Sequence, residues 1–323
     1  MRRSPSMNSW ADSATFATLA RPHDAACRWR SVSRRRTLRA TSLRGALPVS
    51  VTVNVTYPAD GVGLIAFSDP PMNFGGGELG AGILDAIAEI EESGAKVFVL
   101  ASDTPGYFIA HWHLGGIVQA MEGMAAMGNA VPPPRTPYGA DRMLFERVGD
   151  SPLISIAANN GQAWGGGAEL SWGCDLRIAA ESATYGQPEV AIGIPPGAGG
   201  CTRLARLIGP TKALEMILDG RPITAQEALN LGAINKVVPD DTLREEAIAW
   251  AAHIAQWPAF SLDACKRSFM GGRDLNIYDA RRHEQQIFGQ TARRADAIEI
   301  MNAAQAKYDA GMDSYDALGI PRE

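Results

Sequence analysis

The chain has 323 residues, of which 46% are apolar and 20% are charged, and its formal net charge is −5, which is typical of a soluble globular protein. No apolar run approaches the roughly 20 residues needed to cross a bilayer, so we expect no membrane partner. The four cysteines share no close spacing, so neither a zinc site nor a disulfide framework is indicated.

The first fifty residues differ in composition from the rest of the chain. They contain ten arginines and no lysine, with Asp12 and Asp24 as the only acids, so their net charge is +8 against −13 for the remainder. They show no stable apolar period, and we predict a disordered Arg-rich extension over residues 1–48. Three interpretations stay open: an organellar transit peptide, a basic arm that binds nucleic acid, and a leader without function. We expect a cytoplasmic protein, or one of the mitochondrial matrix if the extension is a transit peptide.

Residues 49–241 alternate between strand and helix patterns. Valines at every second position from Val49 to Val55 predict a half-buried strand, and residues 62–67 return as a second strand after a turn. Apolar residues at 79, 83, 87 and 90 lie on one helix face. Short apolar runs beginning at 96, 152 and 176 predict buried strands. The alternation predicts an α/β fold with mainly parallel pairing.

The pattern becomes helical from about Thr242. Apolar stripes predict helices that begin near residues 242, 260, 274 and 295, with no strands between them. Thr224 with Glu227, and Thr242 with Glu245, each have the spacing of a capping box. The sequence therefore predicts a separate helical region over residues 242–323.

Two glutamates, Glu169 and Glu189, lie in a glycine-rich frame. The frame reads NGQAWGGGAEL at 160–170, CD at 174–175, YGQPE at 185–189 and PGAGG at 196–200. Glycines let the backbone approach a ligand closely and point amide N–H groups at it. Two carboxylates beside such amides can provide acid, base and oxyanion stabilisation, which suits chemistry next to a carbonyl.

In this order and spacing, the segment from Pro152 to Arg203 resembles the enoyl-CoA hydratase/isomerase (crotonase) superfamily, and the resemblance extends from about Val51 to the C-terminus. It implies a crotonase-like spiral of repeated ββα units over residues 49–241, followed by a C-terminal helical trimerisation part over 242–323. It also implies a homotrimer or a dimer of trimers. The substrate would be an acyl-CoA, with no cofactor other than the CoA thioester of the substrate itself.

The resemblance also assigns roles to residues. The N–H groups of Gly166 and Ala110 would form an oxyanion hole for the thioester carbonyl. Glu169 would take a proton from the attacking water, and Glu189 would give a proton to the α-carbon. Because both glutamates are present, a 2-enoyl-CoA hydratase giving a 3-hydroxyacyl-CoA is favoured. An enoyl-CoA isomerase, an acyl-CoA hydrolase and a decarboxylase are alternatives within the family. The acidic body argues against an RNA-binding member without catalysis, and no nucleic-acid partner is expected.

The segment around Ala110 departs from the family pattern, because His111 replaces the usual glycine and His113 the usual aspartate. We expect His113 to keep the hydrogen-bonding role of that aspartate, and His111 to narrow the pocket or restrict the backbone at Ala110. No further ligand cluster accompanies the two histidines, so no metal site is predicted. The predicted substrate-binding residues are Phe108, His111, Trp112, His113, Trp164, Gly165, Pro188 and Gly197.

Two other regions have a predicted part in substrate binding. In the family, the stretch between Gly116 and Ser151 is variable and borders the acyl end of the substrate; here it contains three methionines and a proline-rich loop. Lys96, Arg142 and Lys307 are candidates for contacts with CoA, with solvated surface charge as the alternative interpretation.

Overall fold

The computed structural model describes residues 34–37, 51–126 and 139–322. The remainder of the predicted extension lies outside the described residues, as do Met127, the proline-rich loop and the side chains of Met124 and Arg142. Within the extension, Arg34–Thr37 forms a strand that pairs antiparallel with the strand at Thr52–Ala59.

The described elements alternate in the predicted manner. The strands are β1 Arg34–Thr37, β2 Thr52–Ala59, β3 Val62–Ser68, β4 Phe74–Gly75, β5 Val97–Ser102, β6 Gly106–Ile109, β7 His111–Trp112, β8 Ile154–Asn159, β9 Gly161–Trp164, β10 Leu176–Ala180, β11 Thr184–Gly186, β12 Ile223–Thr224 and β13 Lys236–Val238. The helices are α1 Gly77–Glu92, α2 Leu114–Ala126, α3 Gly139–Asp150, α4 Gly166–Gly173, α5 Thr202–Ile208, α6 Pro210–Asp219, α7 Ala225–Asn230, α8 Leu243–Ala255, α9 Ala259–Gly272, α10 Ile277–Ala292, α11 Ala295–Asp309 and α12 Ser314–Leu318. A 3-10 helix at Pro188–Ile192 follows β11.

Two larger sheets organise most of these elements, and β4 and β7 form a separate parallel pair. The seven-stranded sheet has the order β1-β2-β3-β5-β8-β10-β13, and its pairings are parallel from β3 onward. The four-stranded sheet has the order β12-β11-β9-β6. The pairs β5–β6, β8–β9 and β10–β11 each give their first strand to the large sheet and their second to the small one, and each pair is followed by a helix. This repetition confirms the predicted spiral of ββα units.

The apolar residues build the core where the sequence places them. All six residues of β5 are buried, as are the first six of β3, so the centre of the large sheet is covered on both faces. The four predicted helix-face residues of α1 are at most 1% exposed: Leu79, Ile83, Ile87 and Ile90. Helix α8 packs on β3, β5, β8 and β10.

The C-terminal part is helical, as predicted, and one buried ion pair ties it to the spiral. Lys266 on α9 donates to Asp175 at 2.7 Å and to the Leu153 carbonyl at 2.8 Å. The side chains of Lys266 and Asp175 are only 7% and 14% exposed. Asp175 also accepts from the backbone and hydroxyl of Ser155, so its charge is well compensated.

Only one of the two predicted capping boxes forms. Thr224 and Glu227 make both reciprocal bonds at the start of α7. The prediction for Thr242 is wrong: its side chain caps nothing, and its hydroxyl donates to the Pro239 carbonyl at 3.1 Å. Thr242 has helical rather than extended backbone angles, whereas an N-cap residue needs the extended conformation to direct its side chain at the first turn.

Candidate active site

The three glycines that begin α4 are each required for a different reason. Gly165 turns the chain out of β9 with a φ of 50°, a conformation that favours glycine. A Cβ on Gly166 would stand 2.7 Å from the ring of Trp112. A Cβ on Gly167 would stand 2.0 Å from the Ile109 carbonyl oxygen, so α4 packs directly on β6. The run therefore brings the positive end of α4 close to β6 and to the ring of Trp112.

Glu169 lies one turn into α4 and is only 3% exposed. Its Oε1 accepts two backbone bonds, from Ala198 and Gly200, at 2.7 Å each. The predicted glycine-rich segment at 196–200 thus contacts the first glutamate through its amides rather than through any side chain. Two N–H donors on one oxygen stabilise a carboxylate that would otherwise be costly to bury.

Glu189 lies on the 3-10 helix and is 9% exposed. Its Oε1 is 3.0 Å from the position that a Cβ on Gly165 would occupy, so its carboxyl group lies against the glycine run. The pKa of Glu189 is raised from 4.5 to about 7: burial raises it most, a hydrogen bond from its own backbone lowers it, and the charge of Glu169 raises it. Both predicted catalytic carboxylates are therefore buried near the start of α4 and interact electrostatically, but Glu169 accepts two backbone amide bonds whereas burial raises the pKa of Glu189.

Gln187 is a member of the site that the sequence reasoning missed. Its side chain is fully buried. With the amide nitrogen directed at Glu189, it donates to both carboxylate oxygens at 3.0 Å. Its place two residues before Glu189 was the available signal, since a buried glutamine beside an acid usually bonds to it.

The structure does not support Ala110 as the second oxyanion donor. Its N–H donates to the carbonyls of Met72, at 3.3 Å, and of Asn73, at 3.1 Å. Asn73 has a φ of 52° and is fully buried, and its amide nitrogen donates to the Ser102 hydroxyl and the Phe108 carbonyl. This second missed residue fixes the turn before β4 against β6, and the turn brings its carbonyls to the Ala110 amide. Ala110 thus has a structural partner in this conformation.

The two histidines are fixed locally. His113 precedes α2, and its Nδ1 accepts from the Gly116 N–H at 3.2 Å, which is the bond that an N-cap aspartate would accept. This is the kind of hydrogen bond that the sequence predicts for His113. The Nδ1 of His111 donates to the Trp112 carbonyl at 2.8 Å, and the ring lies on Phe74 with centroids 4.7 Å apart. His111 therefore restrains the backbone beside Ala110, one of the two effects that the sequence predicts for it.

The other predicted substrate-binding residues divide between core and site. Phe108 is fully buried and packs edge-on against Phe67, with ring centroids 5.4 Å apart, so its side chain belongs to the core. Trp164 packs over Gly186 and donates to the Thr184 hydroxyl at 3.1 Å, which joins β9 to β11. Pro188 and Gly197 directly precede Glu189 and Ala198, and Gly197 is exposed. Two predicted binding residues belong to the site: Gly165 is part of the glycine run, and Trp112 packs on that run.

Two of the candidate CoA contacts have structural roles. Lys96 donates to the carbonyls of Ala255 and Trp257 at the end of α8, at 2.7 and 3.0 Å. Lys307 donates to the Ala317 carbonyl on α12 at 3.1 Å. Cations at helix C-termini stabilise the helix dipole, so these two lysines need no ligand to account for them.

Within residues 51–126 and 139–322, no group of three or more histidine, cysteine or acidic side chains could bind a metal ion. In the same part of the chain, no helix is long and apolar enough to cross a bilayer.

Comparison with known proteins agrees with this arrangement. The model of the family "Enoyl-CoA hydratase/isomerase" matches residues 58–310. The chain belongs to the enoyl-CoA hydratase/isomerase family. Its crotonase-like fold is shared with the enoyl-CoA hydratase of Bacillus anthracis, which is 30% identical with a TM-score of 0.70 over 80% of this chain and 96% of the other.

Two curated relatives show the same likeness in sequence. A probable mitochondrial enoyl-CoA hydratase of Dictyostelium discoideum is 42% identical over 148 residues, 46% of this chain and 53% of the relative. A 2,3-dehydroadipyl-CoA hydratase of Escherichia coli is 38% identical over 148 residues, 46% of this chain and 58% of the relative. The chain thus spans about half the length of these curated relatives.

Proposed function

We propose that this family member is an enoyl-CoA hydratase, which adds water across the 2,3 double bond of a 2-enoyl-CoA. The observation that carries the proposal is that Glu169 and Glu189 are both buried near the start of α4, where the charge of Glu169 raises the pKa of Glu189. An isomerase that moves one proton needs a single acid–base group, whereas hydration moves two protons at once.

The residues would divide the reaction as follows. The thioester oxygen accepts from the Gly166 N–H, and the positive end of α4 stabilises the charge that develops on it. Ionised Glu169 takes one proton from water while the hydroxyl bonds to C3. Protonated Glu189 gives its proton to C2, and the carbon–carbon double bond becomes single. The glutamate pair carries one proton before and after hydration. The proton is on Glu189 at the start, and a proton from water is on Glu169 at the end.

The pKa of Glu189 suits this role. At a pKa of about 7, an acid is protonated in about half of the molecules at neutral pH, so it can give a proton in one direction and take it in the other. Burial beside a second carboxylate is the physical cause, and substrate binding would remove more water from the pair.

The test is the loss of the conjugated thioester absorbance of crotonyl-CoA with wild type, Glu169→Gln and Glu189→Gln. General acid–base groups typically contribute 10²–10⁴-fold, so each substitution should lower kcat by about that factor. If Glu189→Gln loses activity and Glu169→Gln keeps it, the result would indicate isomerase-type chemistry. Bound crotonyl-CoA without turnover by the wild type would refute hydration.

The oligomer is a further part of the proposal. Large apolar side chains on the C-terminal helices are exposed, among them Phe269 at 72%, Tyr278 at 81% and Phe288 at 70%. Exposed apolar surface of this kind marks interfaces, which supports the predicted trimer or dimer of trimers. Light scattering should give three or six times the chain mass of 34.4 kDa, and a monomer would refute it.

The compartment stays a prediction. The Dictyostelium discoideum relative bears the word mitochondrial in its name, and the Arg-rich extension of this chain is compatible with a transit peptide. Mass spectrometry of the protein from its own cells would test this, since a chain that retains residues 1–48 would refute removal.

A further inference from the structure

Trp112 lies directly on the glycine run. Its Cε3 is 2.7 Å from the position that a Cβ on Gly166 would occupy, and 2.2 Å from the corresponding position on Gly75. The ring of Phe145 packs on the indole with centroids 4.6 Å apart. The indole is therefore held from three sides, and it cannot move aside without losing these contacts.

The proposed acid, Glu189, lies against Gly165, the neighbouring residue of the run. Glu189 Oε1 is 3.0 Å from the Cβ position of Gly165, while the indole lies at the Cβ position of Gly166. Consecutive Cα atoms are about 3.8 Å apart, so carboxyl group and indole are neighbours along one short stretch of backbone. In the proposed binding mode, an acyl group whose oxygen is bound by the Gly166 N–H and whose C2 is reached by Glu189 lies beside the indole.

We propose that Trp112 is a specificity-determining residue that restricts the site to acyl groups unbranched at C2 and C3. A methyl group at either carbon would have to enter the space that the fixed ring occupies. The inference rests on the proposed function only in taking an acyl-CoA thioester as the ligand, because it concerns shape and not turnover.

Trp112 also packs against the hydrophobic core, so a purely structural role must be distinguished. A structural role would weaken the binding of every thioester alike when the ring is removed. A specificity role would change the ratio between branched and straight acyl groups.

The experiment measures binding of saturated thioesters, which cannot be hydrated, by isothermal titration calorimetry. Butyryl-CoA is compared with 2-methylbutyryl-CoA and 3-methylbutyryl-CoA for wild type, Trp112→Ala and Trp112→Leu. Trp112→Leu keeps apolar bulk in case the alanine variant does not fold. The matched control is Trp250→Ala on α8, whose indole packs against the core under Lys236 at 4.6 Å.

A single methyl group is commonly worth 10–200-fold in a closed pocket, so the wild type should bind the straight chain about tenfold more tightly or better. In a folded Trp112 variant this ratio should fall at least about fivefold. The Trp250→Ala control should keep the wild-type ratio. The inference is overturned if the wild type binds straight and branched thioesters equally well. It is also overturned if the ratio falls by less than about fivefold in Trp112→Leu.

The same data separate this inference from the proposed function. A wild type that discriminates by shape but does not hydrate crotonyl-CoA sinks the hydratase proposal and leaves the role of Trp112 standing. A wild type that binds none of the three thioesters overturns both.

Discussion

The raised pKa of Glu189 predicts how the activity depends on pH. If hydration needs one proton on the glutamate pair, kcat/KM should follow the singly protonated form and fall above the higher pKa of the pair. With that pKa at about 7, about 90% of the pairs carry the proton near pH 6 and about 10% near pH 8. The structure therefore predicts a decrease of about tenfold in kcat/KM between these two pH values.

The reverse reaction gives an internal check. Hydration consumes no net proton, so its equilibrium constant does not depend on pH. The ratio of forward to reverse kcat/KM must equal that constant, and the same singly protonated pair serves both directions. Dehydration of 3-hydroxybutyryl-CoA should therefore show the same alkaline limb as hydration of crotonyl-CoA.

The assay follows the enoyl thioester absorbance at low substrate concentration across neutral pH. Crotonyl-pantetheine serves as a control, because it lacks the terminal phosphate of CoA, whose second pKa lies near 6. A kcat/KM that is flat between about pH 6 and pH 8 would show that the burial of Glu189 does not govern its ionisation. An alkaline limb present with CoA and absent with pantetheine would assign the titration to the substrate.

Two predictions concern stability. The folded chain binds a proton at Glu189 that the unfolded chain loses near pH 4.5, so its stability should fall as pH rises from about 4.5 to 7. Urea unfolding should show Glu189→Gln more stable than wild type by up to about 3 kcal/mol at pH 8. A difference in stability between the two proteins that is the same at low pH and at pH 8 would contradict the burial argument. Lys266→Met should destabilise by about 3–5 kcal/mol, since it leaves Asp175 buried without its partner. Lys212→Met is the control, because its exposed pair with Glu215 should contribute less than about 1 kcal/mol. Similar losses of stability in Lys266→Met and Lys212→Met would refute the distinction between buried and exposed ion pairs.

Local periodicity was enough to predict the elements of the core. Helix α1 and strands β3 and β5 follow from the spacing of apolar residues, because an element buried on one face or on both faces has a characteristic spacing of apolar residues along the chain. The resemblance supplied the spiral order and the separate roles of the two glutamates. Within the site, the acids and glycines were recognisable because few residue types can perform those tasks.

Contacts between distant segments were the part that the sequence did not predict. The amide of Ala110 was expected to be available, yet the Asn73 turn, 37 positions earlier in the chain, brings carbonyls to it. Gln187 becomes part of the site only because the chain folds its side chain back on Glu189. Thr242 has the residues of a capping box but not the backbone angles. The deciding quantity is a three-dimensional contact for Ala110 and Gln187, and a pair of backbone angles for Thr242.

The contact between Trp112 and the glycines has a consequence for sequence variation among related chains. The indole fills the space in which Gly75 and Gly166 would carry a side chain, so the three positions cannot change independently. A chain with a small residue at position 112 can accept alanine at 75 or 166, whereas a chain with tryptophan there cannot. These positions should therefore covary, and a substitution harmless in one lineage should be damaging in another.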